Sequence, residues 1–234
     1  MFLGDMTWDE IRNYIEHVNN NLVLSVGTCE QHGYHLPINN DILVSDYLAQ
    51  ILSERTGALL APTINYGVNL PCDKYLAGTT SVTKDILRDT ITSLADWWHF
   101  QGVKNIVIIT YHGDPFHLEA MQSIEPSIML CDASEVEYSD ILEKQTTIRH
   151  ACEAETSVAL YLYPEKVRMD KIKEHDIVYE QFKEYLFHQK VEKPEGYVGC
   201  LGYPSVATAK KGKIIVERML NRMFDECADM LNKK

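Results

Sequence analysis

The chain lacks a Cys-x-x-C pair, a basic excess and any long apolar run. Its six cysteines (Cys29, Cys72, Cys131, Cys152, Cys200 and Cys227) are scattered singly. That spacing excludes paired-thiolate zinc motifs and thioredoxin-like redox motifs. In a reducing compartment such cysteines are expected to be small buried residues rather than disulfides. Twenty-two basic residues against 34 acidic ones leave a net charge of −12. A nucleic-acid binder or an anionic-membrane binder needs a basic surface, so neither is expected. No stretch approaches the roughly 18 consecutive apolar residues that mark a membrane span. The opening MFLGDMTWDE has neither the basic start nor the apolar segment of a signal peptide, so a cytoplasmic location is expected. No repeat, low-complexity tract or Pro/Gly/Ser-rich linker divides the chain, and one domain over residues 1–234 is expected.

What is present is a 45% hydrophobic chain of 234 residues, enough for one sizeable core. Thr7 and Glu10 form a capping-box pattern, followed at helical spacing by Trp8, Ile11, Ile15 and Val18. Leu22 to Val26 reads as a buried strand. Ile42 to Leu52 reads as a helix stopped by Gly57, and Leu59 to Ala61 as a strand ending at Pro62. Ile86, Leu87, Ile91, Leu94 and Trp98 mark another helix, with Thr83 as its cap and Gly102 beyond its end. Ile106 to Thr110 is a short, β-branched, apolar strand, and Ser127 to Leu130 resembles another. Helices over Glu153 to Leu162 and Lys213 to Leu231 complete the alternation. Strands alternating with helices imply a mostly parallel sheet covered on both faces, with ligands bound beyond its carboxyl edge.

Three polar clusters carry candidate chemistry. The first, Gly27 to Pro37, contains Glu30 and His32 and is followed by Asp41. Residues two apart in an extended segment face the same way, and Gly33 and Pro37 allow the turn that returns Asp41. Carboxylates and imidazoles are ligands favoured by borderline divalent cations. Asp41 alone would also suit a helix N-cap. The second cluster, Thr110 to Pro115, adds His112 and Asp114 after a strand. The third contains Arg149, His150, Cys152, Glu153 and Glu155; it reads equally well as an acidic helix N-terminus. His17, His99, His117, His175 and His188 have no such company and are expected to be surface or partly buried bystanders.

In order along nearly the whole chain, these pieces resemble the creatininase family. The resemblance rests on Gly27, Glu30-Gln31-His32-Gly33, His35-Leu36-Pro37 and Asp41, then His112-Gly113, then His150 with Glu155-Thr156-Ser157. Gly202-Tyr203-Pro204 through Ala207-Thr208 and Gly212 extend it, as do the weaker Asp5-Met6-Thr7-Trp8 and Gly78-Thr79. The resemblance implies a three-layer α/β/α sandwich with a mostly parallel central sheet and two divalent metal ions per subunit (zinc, manganese or iron). It places Glu30, Asp41 and His112 on one ion and His32, Asp41 and Asp114 on the other, with Asp41 bridging. His150 falls at the catalytic histidine, and Glu155 would orient it or a ligand. The implied activity is hydrolysis of a C–N bond (amide, cyclic amide or formamide) in a small polar molecule. Alternatives within the resemblance are the opening of a ring ketone of keto-inositol type and a non-catalytic metal-binding relative. The family also implies a homo-oligomer, often a hexamer. The sequence departs from the pattern at Arg149, where creatininase has a glutamate. It departs again at Asp73 and Ala77, where relatives have histidine and proline, and at Asp114, where many have glycine. Trp8, Trp97 and Trp98 all precede the third cluster, so creatinine itself is not the expected substrate.

Overall fold

Four parallel strands lie at the centre in the order β2-β1-β3-β4: β1 Asn21–Ser25, β2 Leu59–Leu60, β3 Asn105–Thr110 and β4 Ile128–Asp132. The structure, a computed structural model, describes residues 1–174 and 179–231. His175 lies outside them. Side chains alternate across a strand, so Leu22, Leu24, Ile106 and Ile108 enter one core cluster while Val23, Val107 and Ile109 enter the other. Both faces are thus apolar, which is why these strands read as continuous apolar runs.

Helices α1 Trp8–His17, α3 Lys84–Phe100 and α4 Pro115–Met121 cover the first face through Ile15, Leu87, Ile91 and Ala120. Helices α2 Asn40–Thr56, α5 Glu153–Leu162 and α7 Ala209–Leu231 cover the second through Val44, Leu48, Val158, Ile215 and Met219. The result is a three-layer α/β/α sandwich, with each fully buried Leu, Ile or Val contributing roughly 1.5–3 kcal/mol of transfer free energy. Helix α6 Tyr179–His188 stands apart. Its Phe182 joins Leu70, Cys72, Tyr197 and Leu201 in a small third cluster, with Leu186 packed against it.

The helix ends follow the local chemistry. Thr7 and Glu10 make the reciprocal capping box, Thr83 accepts from the Ile86 N–H, and Gly57 ends α2 at φ 71°. Several boundaries differ from the spacing-based reading: β1 is Asn21–Ser25, β2 ends at Leu60, β3 begins at Asn105, β4 is Ile128–Asp132, α2 is Asn40–Thr56 and α7 begins at Ala209. Helices α4 and α6 were not legible by periodicity. The first is seven residues long, and the second packs on a small cluster instead of the sheet, so neither shows a full amphipathic repeat. Gly212 lets α7 cross α5 closely, since a Cβ there would lie 1.9 Å from the Ser157 carbonyl oxygen. That contact seats α5, which carries Glu155, directly on α7 within the same layer. Among the described residues, no helix is long and apolar enough to cross a membrane.

Candidate metal centre

The first cluster leaves β1 and folds back on itself. The Glu30 N–H bonds to the Ile38 carbonyl, Leu36 N–H to His32, and Asn40 N–H to Pro37. Gly33 takes φ 62° at the tip of this turn, a conformation that costs glycine little. The turn delivers Asp41 into the first turn of α2, where the helix dipole favours a carboxylate. The start of the loop lies tightly against α2: a Cβ on Gly27 would lie 2.7 Å from Ile42 Cα. Asn39 occupies the N-cap position of α2 and makes no side-chain cap bond. Asp41 is therefore inside the helix; its Oδ1 accepts from the Asn40 side-chain amide at 3.3 Å, and its Oδ2 has no hydrogen-bond partner.

His112 follows β3 directly and meets Asp41 from the other side. Its Nδ1 lies 3.1 Å from Glu30 Oε2 and 3.2 Å from Asp41 Oδ2. The other oxygen, Asp41 Oδ1, lies 3.1 Å from His32 Nε2, which is 3.8 Å from Glu155 Oε2. Each imidazole is anchored through its remaining nitrogen. His112 Nε2 donates to the Val68 carbonyl at 2.9 Å, and His32 Nδ1 donates to the Glu30 carbonyl at 3.1 Å. A carbonyl only accepts, so these bonds fix each ring and turn its second nitrogen toward the carboxylates.

The side chains are almost fully buried, yet Glu30 Oε2, His32 Nε2 and Asp41 Oδ2 have no hydrogen-bond partner. They approach one another without hydrogen-bond geometry. Buried polar atoms left unpaired are destabilising, and atoms converging on shared points suit cations at those points. Two such groups share Asp41: Glu30, Asp41 and His112, and His32, Asp41 and Glu155. A third comprises Glu30, His32 and His150. The oxygen and nitrogen donors match borderline divalent ions.

The titration behaviour agrees. Burial pushes the His32 imidazolium down, but Asp41, Glu155 and Glu30 outweigh it and raise the pKa to about 10. His112 is likewise driven down by burial and raised well above its usual value by Glu30 and Asp41. Burial raises Asp41, while His32 and His112 hold it well below the ordinary carboxylate range. Burial lifts Glu155 to about 8, with His32 opposing and Asp41 adding to the rise. A cation needs deprotonated ligands. Loading the metal-free protein with zinc at pH 7.5 is therefore expected to release protons, and apparent affinity is expected to rise with pH toward 10. Calorimetry in buffers of different ionisation enthalpy counts those protons; a count of zero would remove His32 from the ligand set.

His150 sits beside this group, its ring centroid 4.5 Å from that of His32. Its Nε2 donates to the Gln31 carbonyl at 2.6 Å, and its Nδ1 lies 3.8 Å from Glu30 Oε2. Burial lowers its pKa, with Glu30 opposing, so the ring is neutral near pH 7 and Nδ1 carries a lone pair. Ala151, next in the chain, holds φ 48°, a conformation that strains a non-glycine residue. Its N–H donates to Glu155 Oε2, tying the turn that carries His150 to α5.

Asp114 is placed differently from the rest. Its Oδ1 accepts from the Phe116 and His117 N–H groups as the N-cap of α4, and its buried Oδ2 has no partner. It is in none of the three metal-sized groups, whereas Glu155 is. His117, expected to be a bystander, is fully buried. Its Nδ1 accepts from the Val68 N–H at 3.2 Å while Val68's carbonyl holds His112, so the two histidines clamp the same residue. Gln31 is a hub that the motif reading left without a role. Its side-chain amide reaches Asp73 Oδ1 at 3.3 Å and the Tyr197 hydroxyl at 3.1 Å, contacts that only the tertiary fold creates. Asp73 is buried and its carboxyl is raised well above the usual range, by burial and then by Glu30. A cavity of about 310 Å³ opens onto this centre, lined on one side by Glu30, His112, His150 and Glu155 and on another by Leu70, Phe182, Leu186 and Leu201.

Comparison with known proteins identifies the family. The family model described as "Creatininase: Creatinine amidohydrolase" matches residues 4–227. A creatinine amidohydrolase of Pseudomonas putida is 24% identical over 249 residues, spanning 96% of this chain and 95% of that protein. A mycofactocin precursor peptide peptidase of Mycobacterium ulcerans is 26% identical over 225 residues, spanning 90% and 84%. The crystal structure of a creatinine amidohydrolase superposes with a TM-score of 0.80 at 22% identity, covering 100% of this chain and 98% of that one. The extent of the family match and the shared three-layer fold together lead to one conclusion: this chain belongs to the creatininase family of hydrolases.

Proposed function

We propose that the protein is a metal-dependent amidohydrolase that cleaves a C–N bond in a small polar molecule, with two divalent cations bound per subunit. The observation that carries this reading is the convergence of buried, unpartnered Glu30, His32 and Asp41 atoms around a carboxylate that faces two ligand groups at once. Glu30, Asp41 and His112 would hold one cation; His32, Asp41 and Glu155 would hold the other. Solved creatininases of similar fold include a manganese form and a zinc–zinc form, which supports a divalent ion here. The relatives' names, an amidohydrolase and a peptide peptidase, support a C–N bond as the target.

Bound cations supply Lewis acidity, polarising a carbonyl and lowering the pKa of water. The protein's own residues do the rest. Gln31 fixes His150 through its carbonyl, so Nδ1 faces the site and accepts a proton, then returns it to the departing nitrogen. Gln31 is itself held by Asp73 and Tyr197, which limits its rotation. The apolar wall of Leu70, Phe182, Leu186 and Leu201 keeps bulk water from one side of the cavity.

The test is metal analysis of purified protein followed by assay of lactams, formamides and ring ketones with zinc, manganese and iron. C–N hydrolysis with about two ions per subunit is the expected result. Ring-ketone opening alone would replace the C–N assignment, and no turnover with any metal would favour a non-catalytic relative. A companion pair of variants addresses the second ion. Glu155→Gln is expected to lose one cation. Asp114→Ala is expected to keep both and to cost about 1 kcal/mol of stability through the lost cap. The opposite stoichiometries would move the second position to Asp114.

A further inference from the structure

Three distant chain segments close around the Gln31 side chain: the short helical turn Pro71–Tyr75, the turn before α5, and the segment after α6. They bring three groups to its amide nitrogen. Asp73 Oδ1 lies at 3.3 Å, the Tyr197 hydroxyl oxygen at 3.1 Å and His150 Nε2 at 2.9 Å. The other end of the amide is also held. Gln31 Oε1 accepts from the Gly33 N–H at 3.1 Å and packs against Gly199, where a Cβ would collide with it. A donor at one end and an acceptor carboxyl at the other fix which way the amide faces. His150 Nε2 has a second neighbour in the same residue, the Gln31 backbone carbonyl at 2.6 Å. The two contacts exclude each other. Nε2 needs a hydrogen to donate to the carbonyl and a lone pair to accept from the amide, so the contact it makes decides which ring nitrogen carries the proton.

We propose that Asp73 and Tyr197 are positioning residues that select the tautomer of His150 by occupying both hydrogens of the Gln31 amide. A primary amide has two hydrogens and no more. With one on Asp73 Oδ1 and the other on the Tyr197 oxygen, none is left for Nε2. The ring then keeps its proton on Nε2, bonded to the Gln31 carbonyl, and turns an unprotonated Nδ1 to the metal centre. An amide hydrogen turned to Nε2 instead would move the ring proton to Nδ1 and remove the acceptor. Gln31, Asp73 and Tyr197 are 6%, 1% and 3% exposed, so little water reaches the amide to compete for its hydrogens. Neither Asp73 nor Tyr197 reacts; each acts on the ring through Gln31. The inference rests on the reading of His150 as the group that accepts a proton at Nδ1, and it assigns the residues that keep that atom ready.

Long-range proton–nitrogen NMR on protein carrying nitrogen-15 histidine separates the two tautomers, and His150→Ala assigns the signals. In zinc-loaded protein at pH 7.5 the His150 ring is expected in the Nε2–H form alone, with a free lone pair on Nδ1. Asp73→Ala and the isosteric Tyr197→Phe each release an amide hydrogen. Both are expected to add an Nδ1–H population and to lower kcat severalfold at unchanged KM. Asp73→Asn keeps an acceptor oxygen and is expected to match the wild-type spectrum. Adding Gln31→Met to Tyr197→Phe removes the amide and leaves the backbone carbonyl, so the ring is expected to return to Nε2–H; a merely structural defect would not be rescued this way. A wild-type ring with Nδ1 protonated or bound to zinc overturns the proposal. So does an Nε2–H form untouched by either releasing variant, or a failed Gln31→Met rescue. A tautomer shift that leaves kcat unchanged sinks the proton-acceptor reading of His150 and leaves the tautomer control standing. A protein that takes up no zinc sinks the metal centre, and the same spectra on metal-free protein then decide the tautomer.

Discussion

Asp41→Ala is expected to abolish activity, with a fall of more than about 10⁴-fold that follows from losing the activated water of a metal site. The reason is its position between the two ligand groups. One oxygen faces His32 at 3.1 Å and the other faces His112 at 3.2 Å, so removing the carboxylate dismantles both groups together. Metal content measured on the purified variant is expected to drop for both ions, and Glu30→Ala to lower it as well. Asp41→Asn keeps the shape and removes the charge, which separates loss of metal from loss of fold; circular dichroism monitors the latter. Full metal content in either Asp41 variant would refute the bridging role.

His150→Ala is expected to cut turnover by roughly 10²–10⁴, the usual scale for a positioned acid–base group, while both cations remain bound. The geometry gives the reason: Nε2 is committed to the Gln31 carbonyl, and Nδ1 stands 3.8 Å from the nearest Glu30 oxygen. His150 also belongs to one of the metal-sized groups, with Glu30 and His32. The two roles part at the metal count. A variant that loses a cation along with its activity would make His150 a ligand. Because burial lowers the His150 pKa, the neutral, proton-accepting form persists as pH falls below the usual histidine range. The acidic limb of the turnover profile that belongs to this residue is therefore expected below pH 6.5 and to vanish in the variant.

Much of the fold was legible because its elements obey local rules. The β3 run Ile106 to Thr110 is apolar and β-branched, Thr7 with Glu10 starts α1, and Gly57 ends α2. These features need only neighbours in the chain. The candidate site was partly legible for a similar reason: Glu30 and His32 share one short segment, and His112 follows a recognisable strand. Asp114 was harder. A carboxylate after a strand and before a proline suits a metal or a helix cap equally, and its backbone contacts with Phe116 and His117 are those of a cap.

The amino-acid order by itself determined the alternating elements, the carboxyl-edge location of the polar clusters and the resemblance to one hydrolase family. Only the tertiary structure decided that Glu155 approaches His32, that His117 and His112 clamp Val68, and that Gln31 ties Asp73, Tyr197 and His150 together. The physical reason is range. Caps, turns and periodicity act over a few residues, whereas Gln31 and His150 meet across 119 positions. Such contacts exist only after two layers of helices have closed on the sheet and set its carboxyl edge.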